Sequence, residues 1–370
     1  MKQKQMKRFG FLYEQIVSVE NCKQAILDAS KHKKTRPTVQ SILADLDTNA
    51  EDLSKRLIEL DFLTPYTTRI IRDGLSGKER ELQIPSFYPD QCAHHAIMRV
   101  LKAIITKSSY YWSCANMPNR GIDRACKGVE RATMRDMKHA KYCVKMDITK
   151  FYPSIPHDRL KARLREKIKD QKALQIIDKV IDSHSPGLPI GNYTSPWLAE
   201  FFLQPMDNLI KQNYKVRYYV RYADDLVMTG NNKKDLRKAM YGVFEFVGSK
   251  DMKVKHDYQL FRVQLYSKDK KHRKGRKIDF VGRCFGKGFT TIRKRRALAL
   301  MRQSRHIQKL QKRKKPIPFK MASGFLSRSS CFKHTDSYGM KRKYYDSVNI
   351  KGLKEVVRNE SKRKHLAQAA

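Results

Sequence analysis

Apolar and polar positions alternate with helical spacing through the first third of the chain. Thr48 and Glu51 have capping-box spacing, and Leu53, Leu57 and Leu60 follow on one helical face. A second helix is expected over residues 88–105, where Ala93, Ile97, Val100 and Leu101 supply the apolar positions. Between the two, residues 69–84 form two short β-prone runs around Asp73-Gly74 and Ser76-Gly77, with Lys78, Glu79 and Arg80 at the turn. In the centre the period drops to two. Val144, Met146 and Ile148 share one face of a strand and Cys143, Lys145 and Asp147 the other, so Asp147 points away from the apolar layer. Residues 216–222 and 226–228 read as two strands joined at hairpin spacing by Ala223-Asp224-Asp225, which crowds two carboxylates onto one tight turn. A Gly/Pro loop over residues 187–196 precedes an apolar stretch, 197–209, that reads as helix.

Composition adds a partner. The 370 residues include 79 Lys or Arg against 36 Asp or Glu, a formal charge of +43, while 40% hydrophobic content is enough for two or three packed domains. Such an excess repels itself in the compact state and calls for a polyanion, nucleic acid before an anionic membrane surface. Residues 266–370 hold +26 of the charge and the first 265 residues +17, which places a boundary near 261–276, where 267–276 is a basic loop. The basic start has no signal-like apolar region after it, and no run reaches the roughly 18 to 20 apolar residues of a membrane span. A cytoplasmic protein without a membrane partner is therefore expected. Seven scattered cysteines without a Cys-x-x-Cys pair fit reduced thiols. Cys92, His94 and His95 have no second ligand pair at a zinc-finger spacing, so a packed helix explains them better than metal.

One Asp at a strand end and two at a hairpin tip are the hard oxygen donors that two-metal phosphoryl transfer requires. Either feature alone is an ordinary polar turn or strand end; their order and surroundings carry more. The segment Met146-Asp-Ile-Thr-Lys-Phe-Tyr-Pro-Ser-Ile155 is similar to motif A of reverse transcriptases. Gly187-Leu-Pro-Ile-Gly-Asn-Tyr-Thr-Ser-Pro196 is similar to motif B, and Tyr219-Val-Arg-Tyr-Ala-Asp-Asp-Leu-Val227 to motif C. Weaker matches flank them: Gly77-Lys-Glu-Arg-Glu-Leu-Gln-Ile-Pro85 to the fingers strand, Asn119-Arg-Gly-Ile-Asp-Arg-Ala125 to the segment before motif A, and Ile278-Asp-Phe-Val-Gly282 to the primer-grip turn. The chain thus resembles bacterial reverse transcriptases of the non-long-terminal-repeat lineage, including those of retrons, diversity-generating retroelements and antiviral defence systems.

The resemblance implies an α+β right-hand polymerase with fingers, a ferredoxin-like palm and a helical thumb. Residues 1–68 would be an N-terminal helical extension, 69–140 fingers, 141–285 palm with part of the fingers inserted, and 286–370 a basic thumb and C-terminal tail. It implies catalysis by Asp147, Asp224 and Asp225, which with the Ile148 carbonyl would hold two Mg²⁺, Mn²⁺ being the alternative. For the dNTP it implies Lys78 and Arg80 at the triphosphate, Tyr152 as the aromatic gate against a 2′-hydroxyl, and Ile190 and Gly191 beside the nascent pair. An RNA polymerase would usually have a carboxylate at the position of Tyr152. Partners would be a template or noncoding RNA, a cDNA or other primer, dNTPs, and either an accessory protein or a second copy of the chain. On that division no ribonuclease H, endonuclease or integrase domain is expected.

Motif B departs from its common Pro-Gln-Gly form. Ile190 replaces the glutamine, as in diversity-generating retroelements, whose copying is error-prone, whereas Thr194-Ser195-Pro196 follows the retron and group II intron form. If residues 293–313 are helical, Arg302, Arg305, Lys309 and Lys312 form a basic stripe opposite Leu300, Ile307 and Leu310, suited to duplex phosphates. Further basic clusters in the tail fit a structured noncoding RNA. The competing readings are a noncatalytic RNA-binding scaffold on a polymerase fold and an RNA-dependent RNA polymerase.

Overall fold

A computed structural model describes residues 8–72, 77, 79–265 and 274–369. Its strands are β1 (Thr67–Arg72), β2 (Glu79–Ile84), β3 (Tyr142–Met146), β4 (Tyr218–Tyr222), β5 (Asp225–Gly230), β6 (Gln259–Arg262), β7 (Ile278–Phe280), β8 (Arg283–Gly286) and β9 (Phe289–Ile292). Four of them form a sheet in the order β4-β5-β3-β6. With helices between β3 and β4 and between β5 and β6, this is the split βαββαβ order of a ferredoxin-like sheet. β3 and β5 are central neighbours, so the residue after β3, Asp147, and the residue opening β5, Asp225, belong to adjacent strands.

The chain divides into two compact units. The first comprises residues 1–125, 146–226 and 234–258. Its N-terminal part packs helices Val19–Ser30, Leu46–Glu59 and Cys92–Lys107 through Cys22, Ala25, Ile26, Leu53, Leu57, Ala93 and Ile97, all essentially buried. Helix Leu46–Glu59 begins two residues before Thr48, with Asp45 at its N-cap, so Thr48 and Glu51 are its third and sixth residues and do not cap it. The expected 88–105 helix starts later, at Cys92, because Pro89 and a π-turn over Phe87–Gln91 precede it. β1 and β2 form a two-stranded antiparallel ribbon whose side chains are mostly exposed.

The second unit comprises residues 126–145, 227–233 and 259–370. Its β7-β8-β9 meander turns from β7 to β8 through Val281 and Gly282, both at positive φ (+41 and +85), the form of a type I′ hairpin. Helices Lys294–Lys312 and Phe319–Ser329, with Leu353 beyond them, bury Leu300, Ile307, Ala322 and Phe325 in one core. Arg302, Arg305, Lys309 and Lys312 stand exposed on the first of these helices. Arg305 donates to the Tyr344 hydroxyl at 3.4 Å. No helix among the described residues is long and apolar enough to cross a membrane.

Candidate active site

Asp147 follows β3 directly, at the point where the strand gives way to a single bridge between Ile148 and Val254. That bridge uses the Thr149 N–H to the Lys253 carbonyl and the Lys255 N–H to the Asp147 carbonyl, both at 2.8 Å, and leaves the Ile148 carbonyl on the other edge. The same register brings the Lys255 ammonium to Asp147 Oδ2 at 2.6 Å, with both side chains about one-third exposed (32% and 31%). Asp147 Oδ1 is buried without an N–H or hydroxyl donor. Burial, and then the charge of Asp147, push the Asp224 carboxyl up to about 7. Burial works against the charged form of Lys255, but its bond to Asp147 and the nearby Asp224 raise its pKa on balance.

Asp224 and Asp225 sit where expected, on the β4–β5 turn, although β5 begins at Asp225 rather than Leu226. A two-residue hairpin needs positive φ at its first central position; here that residue is Ala223 (φ +54), not glycine, at a cost of about 1–2 kcal/mol. Behind the turn lies a buried ionic network. The Arg221 guanidinium donates to both oxygens of Asp207 (2.8 and 2.7 Å), pairs with Glu200 at 2.9 Å and donates to the Ala223 carbonyl at 3.0 Å. Burial raises the Glu200 carboxyl, opposed by Arg221. Glu200 and Asp207 are seven residues apart on one face of helix Ser195–Asn208, a pair of acids in an apolar stretch that the sequence already displays.

Tyr152 opens a short 3-10 turn, Tyr152–Ser154, and Asn116 donates to its hydroxyl at 3.5 Å. Burial, then the charge of Glu200, raise this phenol to about 12, so it is neutral at physiological pH. The motif B loop is locked at its start and at its middle by glycine. A Cβ on Gly187 (φ +63) would lie 2.4 Å from the Pro153 carbonyl, beside the bond from the Leu188 N–H to the Tyr152 carbonyl at 2.9 Å. A Cβ on Gly191 (φ +142) would lie 2.0 Å from the Gln83 carbonyl, and the Gln83 N–H donates to the Ile190 carbonyl at 2.9 Å. The resemblance gives Gly191 the task of admitting the nascent pair; the neighbour that requires it here is the backbone of β2.

The structure therefore brings Asp147 and Asp224 together and sets Ile190 and Gly191 against β2. Arg80 stands exposed on β2, opposite Ile71, and Lys78 lies outside the described residues. Among the described residues no three His, Cys, Asp or Glu side chains gather as a metal cluster, Cys92, His94 and His95 included. At the carboxylates the Lys255 ammonium is paired with Asp147. The donor set nonetheless fits a hard divalent ion, being acceptor-only oxygens with one buried lone oxygen on Asp147 and a carboxyl pair that resists holding two negative charges together. Lys255, Glu200, Asp207 and Asn116 are neighbours outside the three motifs, and Arg221 lies within motif C, where the resemblance gave it no role.

These elements form an α+β fold whose ferredoxin-like sheet carries the paired carboxylates. A family model described as reverse transcriptase (RNA-dependent DNA polymerase) matches residues 86–281, and the chain belongs to that family. Its curated relatives include an uncharacterized 91 kDa protein in a cob intron of Schizosaccharomyces pombe, 32% identical over 155 residues, 39% of this chain and 18% of that protein. They also include the retron Ec73 reverse transcriptase of Escherichia coli, 33% identical over 106 residues, 25% of this chain and 34% of that protein. The matched part thus spans about a third or less of those relatives' length. Among solved structures, apo telomerase from Candida tropicalis aligns with a TM-score of 0.46 and 13% identity, over 84% of this chain and 63% of that one.

Proposed function

We propose that the chain is an RNA-directed DNA polymerase that makes cDNA from a dedicated noncoding or template RNA, in a bacterial or phage retroelement or antiviral defence system. The observation that carries the reading is the pairing of Asp147 with Asp224 at neighbouring strand ends, where the Asp224 carboxyl is held up to about 7. Asp147, Asp224 and Asp225, with the Ile148 carbonyl, would hold Mg²⁺ or Mn²⁺. Bound there, the metal supplies Lewis-acid charge that activates a primer 3′-hydroxyl and offsets the charge of the triphosphate. The remaining roles belong to side chains. Tyr152 presents a neutral ring that closes the sugar side of the nucleotide. Arg80 and Lys78 meet the triphosphate, and the Gln83–Ile190 bond ties the ribbon that carries Arg80 to motif B. The division into fingers, palm and thumb is part of the same proposal, with Arg302, Arg305, Lys309 and Lys312 gripping the duplex.

Extension of a DNA primer on an RNA template with dNTPs tests the reading. Asp147→Asn and Asp224→Asn should each abolish it while leaving primer–template binding within about twofold; activity persisting in either variant would refute it. Ile190 favours the error-prone alternative of diversity-generating retroelements, since it offers no hydrogen bond where a glutamine would. Ile190→Gln leaving the error spectrum unchanged would remove that alternative.

A further inference from the structure

Arg221 is wholly buried three residues before Asp224. Its backbone is pinned on both sides: its N–H donates to the Trp112 carbonyl at 3.0 Å, and the Cys114 N–H donates to its carbonyl at 2.9 Å. Its guanidinium is held by a fork on Asp207, which also accepts from the Tyr219 hydroxyl at 2.7 Å, and by Glu200, which accepts from Ser113 Oγ at 2.6 Å. Nη1 is shared between Glu200 and the Ala223 carbonyl. The latter bond leaves the buried network and reaches the turn itself, at a residue in the left-handed region without being glycine.

We propose that Arg221 is a positioning residue for the metal site. Its bond to the Ala223 carbonyl fixes the left-handed turn and thereby fixes where Asp224 and Asp225 present their oxygens. The proposal rests on reading those carboxylates as metal ligands. Only a planar fork serves Asp207 on one side and a carbonyl on the other; a lysine keeps the charge but not the fork. Glycine at position 223 would remove the Cβ clash that makes the brace necessary. Tyr219 serves as the internal control, because it belongs to the same buried network but does not touch the turn.

The test is Mn²⁺ binding to the full chain, free of nucleic acid, followed by electron paramagnetic resonance. The native chain should bind, and Asp224→Asn should weaken binding at least tenfold. Arg221→Lys should weaken it about fivefold, Ala223→Gly added to Arg221→Lys should restore at least half of that loss, and Tyr219→Phe should stay within twofold of native. Native-like binding by Arg221→Lys, no restoration by Ala223→Gly, or an equal loss in Tyr219→Phe would each overturn the proposal and leave the ligand reading standing. A native chain that binds no Mn²⁺, or Asp224→Asn binding like native, would overturn both. If Arg221→Lys lacks the native circular dichroism spectrum, Asp207→Asn carries the same test: binding weakened at least threefold and restored by Ala223→Gly supports the brace, and unchanged binding overturns it.

Discussion

Tyr152 and Lys255 flank the carboxylates and act on different partners. Tyr152 is a neutral ring next to Asn116, so Tyr152→Ala should raise rNTP incorporation relative to dNTP by tenfold or more, measured as a ratio of kcat/KM; an unchanged ratio would remove the gate. Lys255 pairs with Asp147, and a divalent ion bound there is expected to displace its ammonium. Lys255→Met removes that charge and, because Lys255 lowers the Asp224 carboxyl, moves Asp224 further above about 7, so the comparison is made at pH 9. Mg²⁺ should then raise the thermal midpoint of the variant more than that of the native chain, because binding to the folded state alone stabilises it; an equal or smaller rise would contradict the displacement. The three aspartates were legible because a period-two strand and a hairpin spacing isolate them. Lys255 was not, being one of 79 basic residues with no motif to single it out. Glu200 and Asp207 left a trace as acids in an apolar helix, but nothing in the sequence tells that they meet Arg221.

At the scale of elements, the backbone latch between β2 and motif B makes Gly191 a structural requirement. Gly191→Ala, facing the Gln83 carbonyl at 2.0 Å from φ +142, should cost more than about 1 kcal/mol of stability and lower polymerisation; native stability by urea unfolding would contradict the latch. Helix Cys92–Lys107 carries a second expectation. His95 stacks on Tyr193 with ring centroids 3.8 Å apart, and burial, then the Lys102 charge, lower its pKa to about 4. The unfolded chain therefore binds a proton that the folded one refuses, and stability from this group is full above pH about 6.5 and lost as pH falls towards 4. His95→Phe keeps the stack and should make the fall of the urea midpoint between those pH values shallower, the rest of the fall coming from buried His94, whose pKa is lowered to about 3; an acid limb identical to native would show that His95 does not contribute. Three strands of the sheet, β3, β4 and β5, were legible to within a few residues; β6 was not. The helix starts were not, because the first helix begins at Leu46, ahead of Thr48, without a side-chain cap, and Pro89 delays the second.

For the whole molecule, the charge excess divides between a part that holds the carboxylates and a C-terminal part, residues 266–370, that holds +26 of the +43. The exposed stripe on helix Lys294–Lys312 should follow counterion release. Arg302→Gln with Lys309→Gln should reduce the slope of log affinity against log salt by about two for a primed RNA, roughly one for each phosphate no longer neutralised. An unchanged slope would place the grip elsewhere. The polymerase class was legible because three motifs occur in order on elements whose sheet order brings them together. The division of labour between charge for grip and buried ion pairs for shape was not, since burial is invisible in a count of charges. The most direct measurement is single-nucleotide extension of a DNA primer on an RNA of defined sequence, with each dNTP and rNTP supplied alone. The native chain should add only the complementary dNTP, and Asp224→Asn should slow that addition about a thousandfold or more. Addition without regard to the template base, or equal rates in the variant, would contradict template-directed DNA synthesis at these carboxylates.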